Sequence, residues 1–258
     1  MAHNNTNKTI IAFDLYGTLL ATDSIAESLS TIFGHDAAAP LAAQWRRYQL
    51  EYTWRINSMG VYRPFDQITL GALHHAVAEA GLPGLSASDS AHLMSAYNRL
   101  AVFSEVPAAL GRIQHDLADS FSAYIFSNGT DEMVRGSIAA SAELAPFFSA
   151  GGVFAGQVVT VDGDKRFKPD GRTYANLLGE VGREGSRSGE VWLVTANPFD
   201  VVGASYAGLK TAWVDRAGSG WVDRLGDVIG GGVRPGVVVG GVDGAVEAIV
   251  GAVAASQP

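Results

Sequence analysis

Short apolar runs alternate with longer amphipathic stretches along this chain, a pattern typical of a parallel sheet covered by helices. More than a hundred residues separate the first apolar run from the second, whereas one crossover helix needs only about a dozen. The pattern therefore predicts an α/β fold with a Rossmann-like parallel-sheet core and a segment inserted after its first strand. The predicted strands are Thr9–Phe13, Ala123–Phe126, Val191–Val194, Thr211–Val214 and Val237–Val239.

The inserted segment has the apolar spacing of helices, and Gly81–Gly84 interrupts it before its last helix. We expect a helical cap over residues 22–104 that closes on the carboxyl ends of the strands. Residues 1–21 and 105–258 would form the α/β core domain. The predicted helices of the cap are Asp23–Phe33, Pro40–Met59, Pro64–Ala80 and Ser86–Phe103.

Composition narrows the function classes. The chain has 258 residues, of which 47% are hydrophobic, and it can bury a substantial core. Its net charge of −8 argues against a nucleic-acid or anionic-membrane surface. The absence of cysteine excludes disulfides, thiolate metal ligands and a cysteine nucleophile. No run approaches the about 20 apolar residues of a membrane span, and the polar residues 1–8 lack a signal-peptide pattern. We expect a cytoplasmic protein.

Asp14 is the first candidate for chemistry, because it directly follows the first predicted strand and precedes the Gly17-Thr18 turn. Burying this carboxylate unpaired would be unfavourable by several kcal/mol, roughly. A place in the crevice beyond the strand ends, where parallel sheets bind ligands, explains it better. A lone strand-end aspartate would still be read as a cap of the following turn.

Polar groups recur at the ends of later elements, and together they change that interpretation. Each one alone has an ordinary explanation, such as a turn or a solvated surface lysine. Because carboxyl ends of parallel strands meet at one edge of a sheet, the ordered set predicts one shared site. Its members are Ser127-Asn128-Gly129, Lys168-Pro169-Asp170, and Thr195-Ala196-Asn197 with Asp200.

This ordered set resembles the haloacid dehalogenase superfamily and, more closely, its L-2-haloacid dehalogenases (type II). The first motif alone would indicate only the superfamily, whereas the cap segment is specific for the dehalogenases. The motifs span nearly the whole chain up to Asp200. The resemblance rests on Asp14–Thr18, the cap segment Trp45–Trp54, Phe126–Gly129, Lys168–Asp170 with Tyr174, and Asn197 with Asp200.

The residue two positions after Asp14 favours a halide over a phosphate as the leaving group. Phosphatases of this superfamily carry a second aspartate there, which protonates a basic alkoxide. This chain has Tyr16, whose ordinary pKa of about 10 suits that task badly. Magnesium prefers several hard oxygen ligands, and the last loop offers neutral Asn197 and a single acid, Asp200. We therefore expect neither a metal nor another cofactor.

The resemblance implies a substrate, a mechanism and roles. A short 2-haloalkanoic acid, either a haloacetate or an L-2-halopropionate, would become a 2-hydroxy acid with inversion through an aspartyl ester. Asp14 would be the nucleophile, and Lys168 would lie beside it and keep it ionised. Arg46 would receive the departing halide, and Asn128 would share that pocket. Arg46 is preferred over Arg47 on motif alignment alone.

The substrate carboxylate would be bound by Ser127 and by main-chain amides near Leu15 and Tyr16. Asn197 and Asp200 would position or activate the water that hydrolyses the ester. These roles also follow from the resemblance.

Supporting positions complete the site. Thr18 and Tyr174 would support the nucleophile and its neighbours, and Thr195 stands where these dehalogenases usually carry serine. The stretch before Lys168 is longer than usual and predicts an added hairpin around Asp162-Gly163-Asp164.

Two other functions stay open at this point. One is a magnesium-dependent phosphatase on the same scaffold, and the other is a non-catalytic member that binds a small acid. A homodimer is also expected, because the cap helix around Trp45–Trp54 is rich in aromatic residues.

Overall fold

Five of the six strands in the sheet lie where the apolar runs predict them. The computed structural model describes residues 8–256, and its strands form one parallel sheet in the order β3-β2-β1-β4-β5-β6. The predicted fold class is confirmed. The strands are β1 (Thr9–Phe13), β2 (Phe121–Ser127), β3 (Val158–Thr160), β4 (Val191–Thr195), β5 (Lys210–Val214) and β6 (Val237–Val239).

The prediction of an added hairpin in the stretch before Lys168 was wrong. The expected hairpin around Asp162-Gly163-Asp164 is a turn, and the residues just before it form β3, which pairs in parallel with β2. This strand has three residues and forms the sheet edge, and two of the three are half-buried. Its apolar run is too short to predict a strand from the sequence.

The central strand β1 lies between β2 and β4 and alternates its side chains between two cores. Ile11 and Phe13 pack into the larger core, while Ile10 and Ala12 pack into a smaller one on the other face. Phe13 pairs in register with residues of both β2 and β4. Asp14 therefore emerges in the middle of the carboxyl edge, where three strands end side by side.

The inserted segment is helical, as predicted, but its boundaries differ. The first predicted helix begins with a 3₁₀ turn over Thr22–Ile25. The last one ends at Tyr97 instead of Phe103, because residues 101–103 pair with residues 19–21 in one antiparallel bridge that is closed by two main-chain hydrogen bonds. The bounds of cap and core stay a prediction. The helices of this segment are α1 (Ala26–Phe33), α2 (His35–Ser58), α3 (Phe65–Glu79) and α4 (Ala87–Tyr97).

Most of the remaining helices cover the two faces of the sheet. None of the helices within residues 8–256 is long and apolar enough to cross a membrane. The signal-peptide prediction rests on residues 1–8, and residues 1–7 lie outside the described part of the chain. These helices are α5 (Val106–Asp116), α6 (Asp131–Ala140), α7 (Ala145–Phe148), α8 (Gly171–Glu180), α9 (Pro198–Tyr206), α10 (Leu225–Val228) and α11 (Val242–Ala254), with a 3₁₀ turn at Gly185–Glu190.

Candidate active site

Asp14 is almost completely buried and accepts hydrogen bonds on both carboxylate oxygens. Oδ1 accepts from Lys168 Nζ at 3.1 Å. Oδ2 accepts from Thr18 Oγ1 at 2.8 Å and from Asn197 Nδ2 at 2.7 Å, with Thr195 Oγ1 further away at 3.4 Å. Hydrogen bonds of this kind stabilise the ionised form of a carboxylate. The structure thus brings these five predicted site residues together.

The Lys168 ammonium lies beside the Asp14 carboxylate and is almost completely buried, since the residue is only 1% exposed. It donates to Asp14, to Asp200 Oδ2 at 2.8 Å and to the Phe126 carbonyl at 2.7 Å. An ammonium has three donors, and these three acceptors use all of them. The main-chain N–H of Lys168 donates to Asn128 Oδ1 at 2.9 Å. Hydrogen bonds therefore hold both the side-chain ammonium and the main-chain N–H of Lys168.

Asp200 completes this buried charge cluster from the first turn of α9. Tyr174 Oη donates to its Oδ1 at 2.7 Å. Burial raises the pKa of Asp200, and the charge of Lys168 opposes that shift. Burial, followed by the charge of Asp200, raises the pKa of Tyr174 well above its ordinary value. Gly203 allows this approach, because a Cβ there would lie 2.5 Å from the Tyr174 hydroxyl.

The turn after Asp14 contains a glycine in the left-handed region and a threonine whose hydroxyl makes two hydrogen bonds. Gly17 has a φ of +87°, which other residues rarely adopt. Thr18 Oγ1 donates to Asp14 and accepts from the Ala196 N–H at 2.9 Å. Arg216 donates to the Thr18 carbonyl at 2.8 Å. Sequence reasoning missed this arginine, which no motif singles out.

Helix α2 delivers Arg46 to the site. Its Nη2 donates to the Tyr16 carbonyl at 3.2 Å and to Asn197 Oδ1 at 3.4 Å. The neighbouring Arg47 is exposed and lies over the Tyr48 ring, 5.6 Å from its centroid. Of the two arginines, Arg46 thus contacts the residues around Asp14, and Arg47 points away.

A buried amide that sequence reasoning missed holds Arg46 in place. Gln49 is fully buried, and its Oε1 accepts from Arg46 Nη1 at 2.6 Å and from Tyr97 Oη at 2.9 Å. Its Nε2 donates to Thr69 Oγ1 at 2.7 Å. The side chain therefore satisfies its polar atoms across three helices of the inserted segment.

The predicted carboxylate-binding groups lie nearby. The Leu15 side chain is buried, so the main chain is the part of this residue that can serve a ligand. Among residues 8–256, no group accepts a hydrogen bond from the main-chain N–H of Leu15 or Tyr16. Ser127 Oγ accepts from the Gly129 N–H at 3.0 Å, while Asn128 Oδ1 accepts from the main-chain N–H of Lys168. Unpaired buried N–H groups favour an anion.

The Tyr16 side chain lines the site and is poorly suited to donate a proton. Its ring lies against Phe65 and Tyr97, with centroids 5.9 and 5.7 Å apart. Burial raises the pKa of the Tyr16 hydroxyl well above its ordinary value. This residue is thus a poorer acid than a solvent-exposed tyrosine.

The parallel sheet with a strand-end aspartate, a buried lysine and an arginine from the inserted helices is the architecture of the haloacid dehalogenase superfamily. No family model matches the chain. It is 34% identical over 209 residues to the (S)-2-haloacid dehalogenase of Pseudomonas sp. (strain YL), covering 81% of this chain and 83% of that protein. The chain belongs to the (S)-2-haloacid dehalogenase family, which confirms the predicted family.

Two further relatives agree. Haloacetate dehalogenase H-2 of Moraxella sp. (strain B) is 30% identical over 219 residues, which cover 84% of this chain and 89% of that protein. The solved L-2-haloacid dehalogenase from Xanthobacter autotrophicus with chloropropionic acid covalently bound has a TM-score of 0.77 and 25% identity. The structural alignment covers 95% of this chain and 99% of that protein's chain.

Proposed function

We propose that the protein is a hydrolytic dehalogenase that converts haloacetates and L-2-halopropionates to 2-hydroxy acids. The observation that carries the proposal is the buried Asp14 carboxylate, which accepts directly from the Lys168 ammonium and is linked through Asn197 to the guanidinium of Arg46. The names of the relatives, (S)-2-haloacid and haloacetate dehalogenase, support the same reaction and substrate class. It is a hydrolase acting on carbon–halide bonds.

The first step is nucleophilic displacement. One Asp14 oxygen bonds to C2 of the substrate while the carbon–halogen bond breaks, and the halide leaves with the bonding electron pair. Attack from the side opposite the halogen inverts the configuration at C2. Arg46, with Asn128, stabilises the developing halide charge. Ser127 and the unpaired N–H groups of Leu15 and Tyr16 hold the substrate carboxylate.

The second step is hydrolysis of the aspartyl ester. Water attacks the Asp14 carbonyl carbon, and negative charge develops on the carbonyl oxygen. The donors that already surround this carboxyl group, among them Thr18 and Asn197, stabilise that charge. Asn197 and Asp200 position this water, and Asp200 accepts its proton. Burial raises the pKa of Asp200, which makes its carboxylate a stronger base than an exposed one. The intermediate then collapses: the bond between the Asp14 carbonyl carbon and the ester oxygen breaks, and that oxygen takes back the proton held by Asp200. The product leaves as a 2-hydroxy acid, and the Asp14 carboxylate is regenerated with one oxygen from water.

The two alternatives explain the site less well. A phosphatase must protonate its leaving group, and the buried Tyr16 hydroxyl is unsuited to that because its pKa is raised. A non-catalytic binder needs no nucleophile, yet Asp14, Lys168 and Asp200 form a buried cluster of charges. Such a cluster is a weak source of stability, and a reaction accounts for it better.

The decisive experiment incubates the protein with L-2-chloropropionate in the presence of a chelator and measures chloride. We expect steady chloride release from the natural protein and none above background from Asp14→Asn. Circular dichroism of the variant should match, because the two side chains have nearly equal size. Activity that requires added magnesium would favour the phosphatase, and unchanged behaviour of Asp14→Asn would favour the non-catalytic binder.

The oxygen source tests the ester directly. In one turnover in ¹⁸O-labelled water, the heavy oxygen should enter Asp14 and not the product, because the product takes its oxygen from the carboxylate. Mass analysis of the peptide that contains Asp14 measures this. Label in the product of the first turnover would contradict the covalent route.

Other expectations stay predictions. They are the cytoplasmic location, the homodimer through the aromatic cap helix, the absence of nucleic-acid and membrane partners, and the bounds of cap and core. Trp54 on α2 is 40% exposed, which supports an interface there. Sedimentation of the purified protein and of Trp54→Ala tests the dimer, and a monomeric natural protein would contradict it.

A further inference from the structure

The helix that delivers Arg46 makes a second polar contact with the core, three turns further on. Asn57 on α2 holds the main chain of one core residue, Phe167, with both atoms of its amide. Its Nδ2 donates to the Phe167 carbonyl at 2.7 Å, and its Oδ1 accepts from the Phe167 N–H at 3.0 Å. A two-point contact of this kind fixes the position and the orientation of the residue it holds.

The residue held in this way immediately precedes Lys168. The N–H of Lys168 is in turn held by Asn128 of the core. Two amides, one from the inserted helices and one from the sheet edge, therefore fix the chain leading into the lysine. The Lys168 ammonium must reach Asp14 and Asp200 at the same time, so its geometry depends on where this chain segment lies.

Packing alone does not require this contact. The Phe167 ring is already covered by Tyr62 and Phe65, with ring centroids 5.3 and 6.0 Å away. Tyr62 also makes a polar contact with the core, because its hydroxyl donates to Asp162. That bond joins the same two parts of the chain without touching the Lys168 main chain, which makes Tyr62 a suitable comparison.

We propose that Asn57 is a positioning residue for Lys168, through which the inserted helices fix the position of the lysine side chain beside Asp14 and Asp200. Arg46 and Asn57 lie on one helix, so the halide-binding guanidinium and the support of the lysine arrive together. This inference rests on the proposed function.

The test compares Asn57→Ala with Tyr62→Phe, which keeps the ring on Phe167 and removes only the bond to Asp162. For Asn57→Ala we expect kcat for chloropropionate to fall by about tenfold to a hundredfold at nearly constant KM, because misplacement acts on the reacting geometry. Tyr62→Phe should keep kcat within about twofold. Asn57→Asp keeps an acceptor and loses the donor, and we expect it to lose activity as well.

Amide hydrogen exchange gives a readout independent of turnover. Exchange at Phe167 and Lys168 should become faster in Asn57→Ala and stay unchanged in Tyr62→Phe. A natural protein that releases no halide contradicts the proposed function, and the exchange result then decides the inference alone. If Asn57→Ala has the kcat of the natural protein, or exchanges at the same rate, the inference is wrong.

Discussion

The two cations of the site are held in opposite ways. Lys168 is 1% exposed and directs its three N–H groups at three buried acceptors. Arg46 is half-buried, and its only short hydrogen bond within residues 8–256 goes to Gln49, at 2.6 Å. Its other two acceptors, the Tyr16 carbonyl and Asn197 Oδ1, lie at 3.2 and 3.4 Å.

The difference separates two tasks. A cation whose N–H donors are all used and which is shielded from solvent cannot bind a further ligand. It does fix the charge and the position of the carboxylates beside it. A guanidinium has five N–H donors, and one whose contacts are long can exchange them for an incoming anion. In the proposed mechanism, the core thus supplies a rigid nucleophile, and the inserted helices supply an adaptable anion site. The variants below test this division.

Lys168→Met should have the largest effect, since it leaves Asp14 and Asp200 buried without a counter-ion. Breaking a buried ion pair by removing one partner lowers the free energy of unfolding by about 3–5 kcal/mol. We also expect chloride release to fall to background. Urea unfolding followed by circular dichroism measures the stability, with Lys165→Met, an exposed lysine three residues earlier, as the control.

The pH dependence of that variant has a definite sign. Without the ammonium, burial and the charge of Asp14 raise the pKa of Asp200 in the folded protein further above its value in the unfolded chain. The folded state then binds protons more tightly, so lowering the pH should restore part of the lost stability. Stability that falls further as the pH is lowered from 7 to 5 would contradict this account.

Arg46→Lys should act on turnover and hardly on stability. The lysine keeps the charge but loses the planar fork that contacts Gln49, Tyr16 and Asn197. We expect kcat/KM to fall by about tenfold to a hundredfold, a typical loss for a misplaced charge-stabilising donor. Chloride release at several substrate concentrations measures it.

Arg47→Lys on the same helix is the matched control for that variant and should keep kcat/KM within about twofold, since its side chain points away. Equal losses in the two variants would mean that the choice of Arg46 is wrong. A loss in Arg47→Lys alone would reverse the assignment.

That Asp14 and Lys168 lie together could be predicted from the sequence, because each stands at a recognisable element boundary. Asp14 ends an apolar run, and Lys168 precedes a proline that marks the start of a helix. The choice between Arg46 and Arg47 was different. Adjacent residues point about 100° apart on a helix, and the sequence alone does not show which direction faces the core.

The amides that hold the site could not be predicted. Glutamine and asparagine on a helix are ordinarily solvated, and nothing local marks Gln49 or Asn57 as exceptions. Their partners, Tyr97 and Phe167, are 48 and 110 residues away in the chain. Only tertiary packing brings such pairs together, so their role becomes visible in the folded structure.

The smallest expected effect concerns the support of Asp200 and sharpens the description of the rigid side. Tyr174 donates a hydrogen bond to the Asp200 carboxylate, which favours its charged form and lowers its pKa. Tyr174→Phe removes this bond and should raise the pKa of Asp200 further above its ordinary value. In the proposed mechanism, Asp200 must be ionised to accept a proton from water. As the pH is lowered, Tyr174→Phe should therefore lose activity at a higher pH than the natural protein does.

We expect the acid limb of the kcat profile to move upward by about one to two pH units, since a hydrogen bond to a charged group contributes about 1.5–3 kcal/mol. Chloride release between pH 4 and 9 measures the limb. Tyr206→Phe, an exposed tyrosine at the end of the helix that carries Asp200, is the control and should leave it in place. A limb that stays fixed in Tyr174→Phe would mean that a group other than Asp200 takes the proton from water, and the second step would need another base.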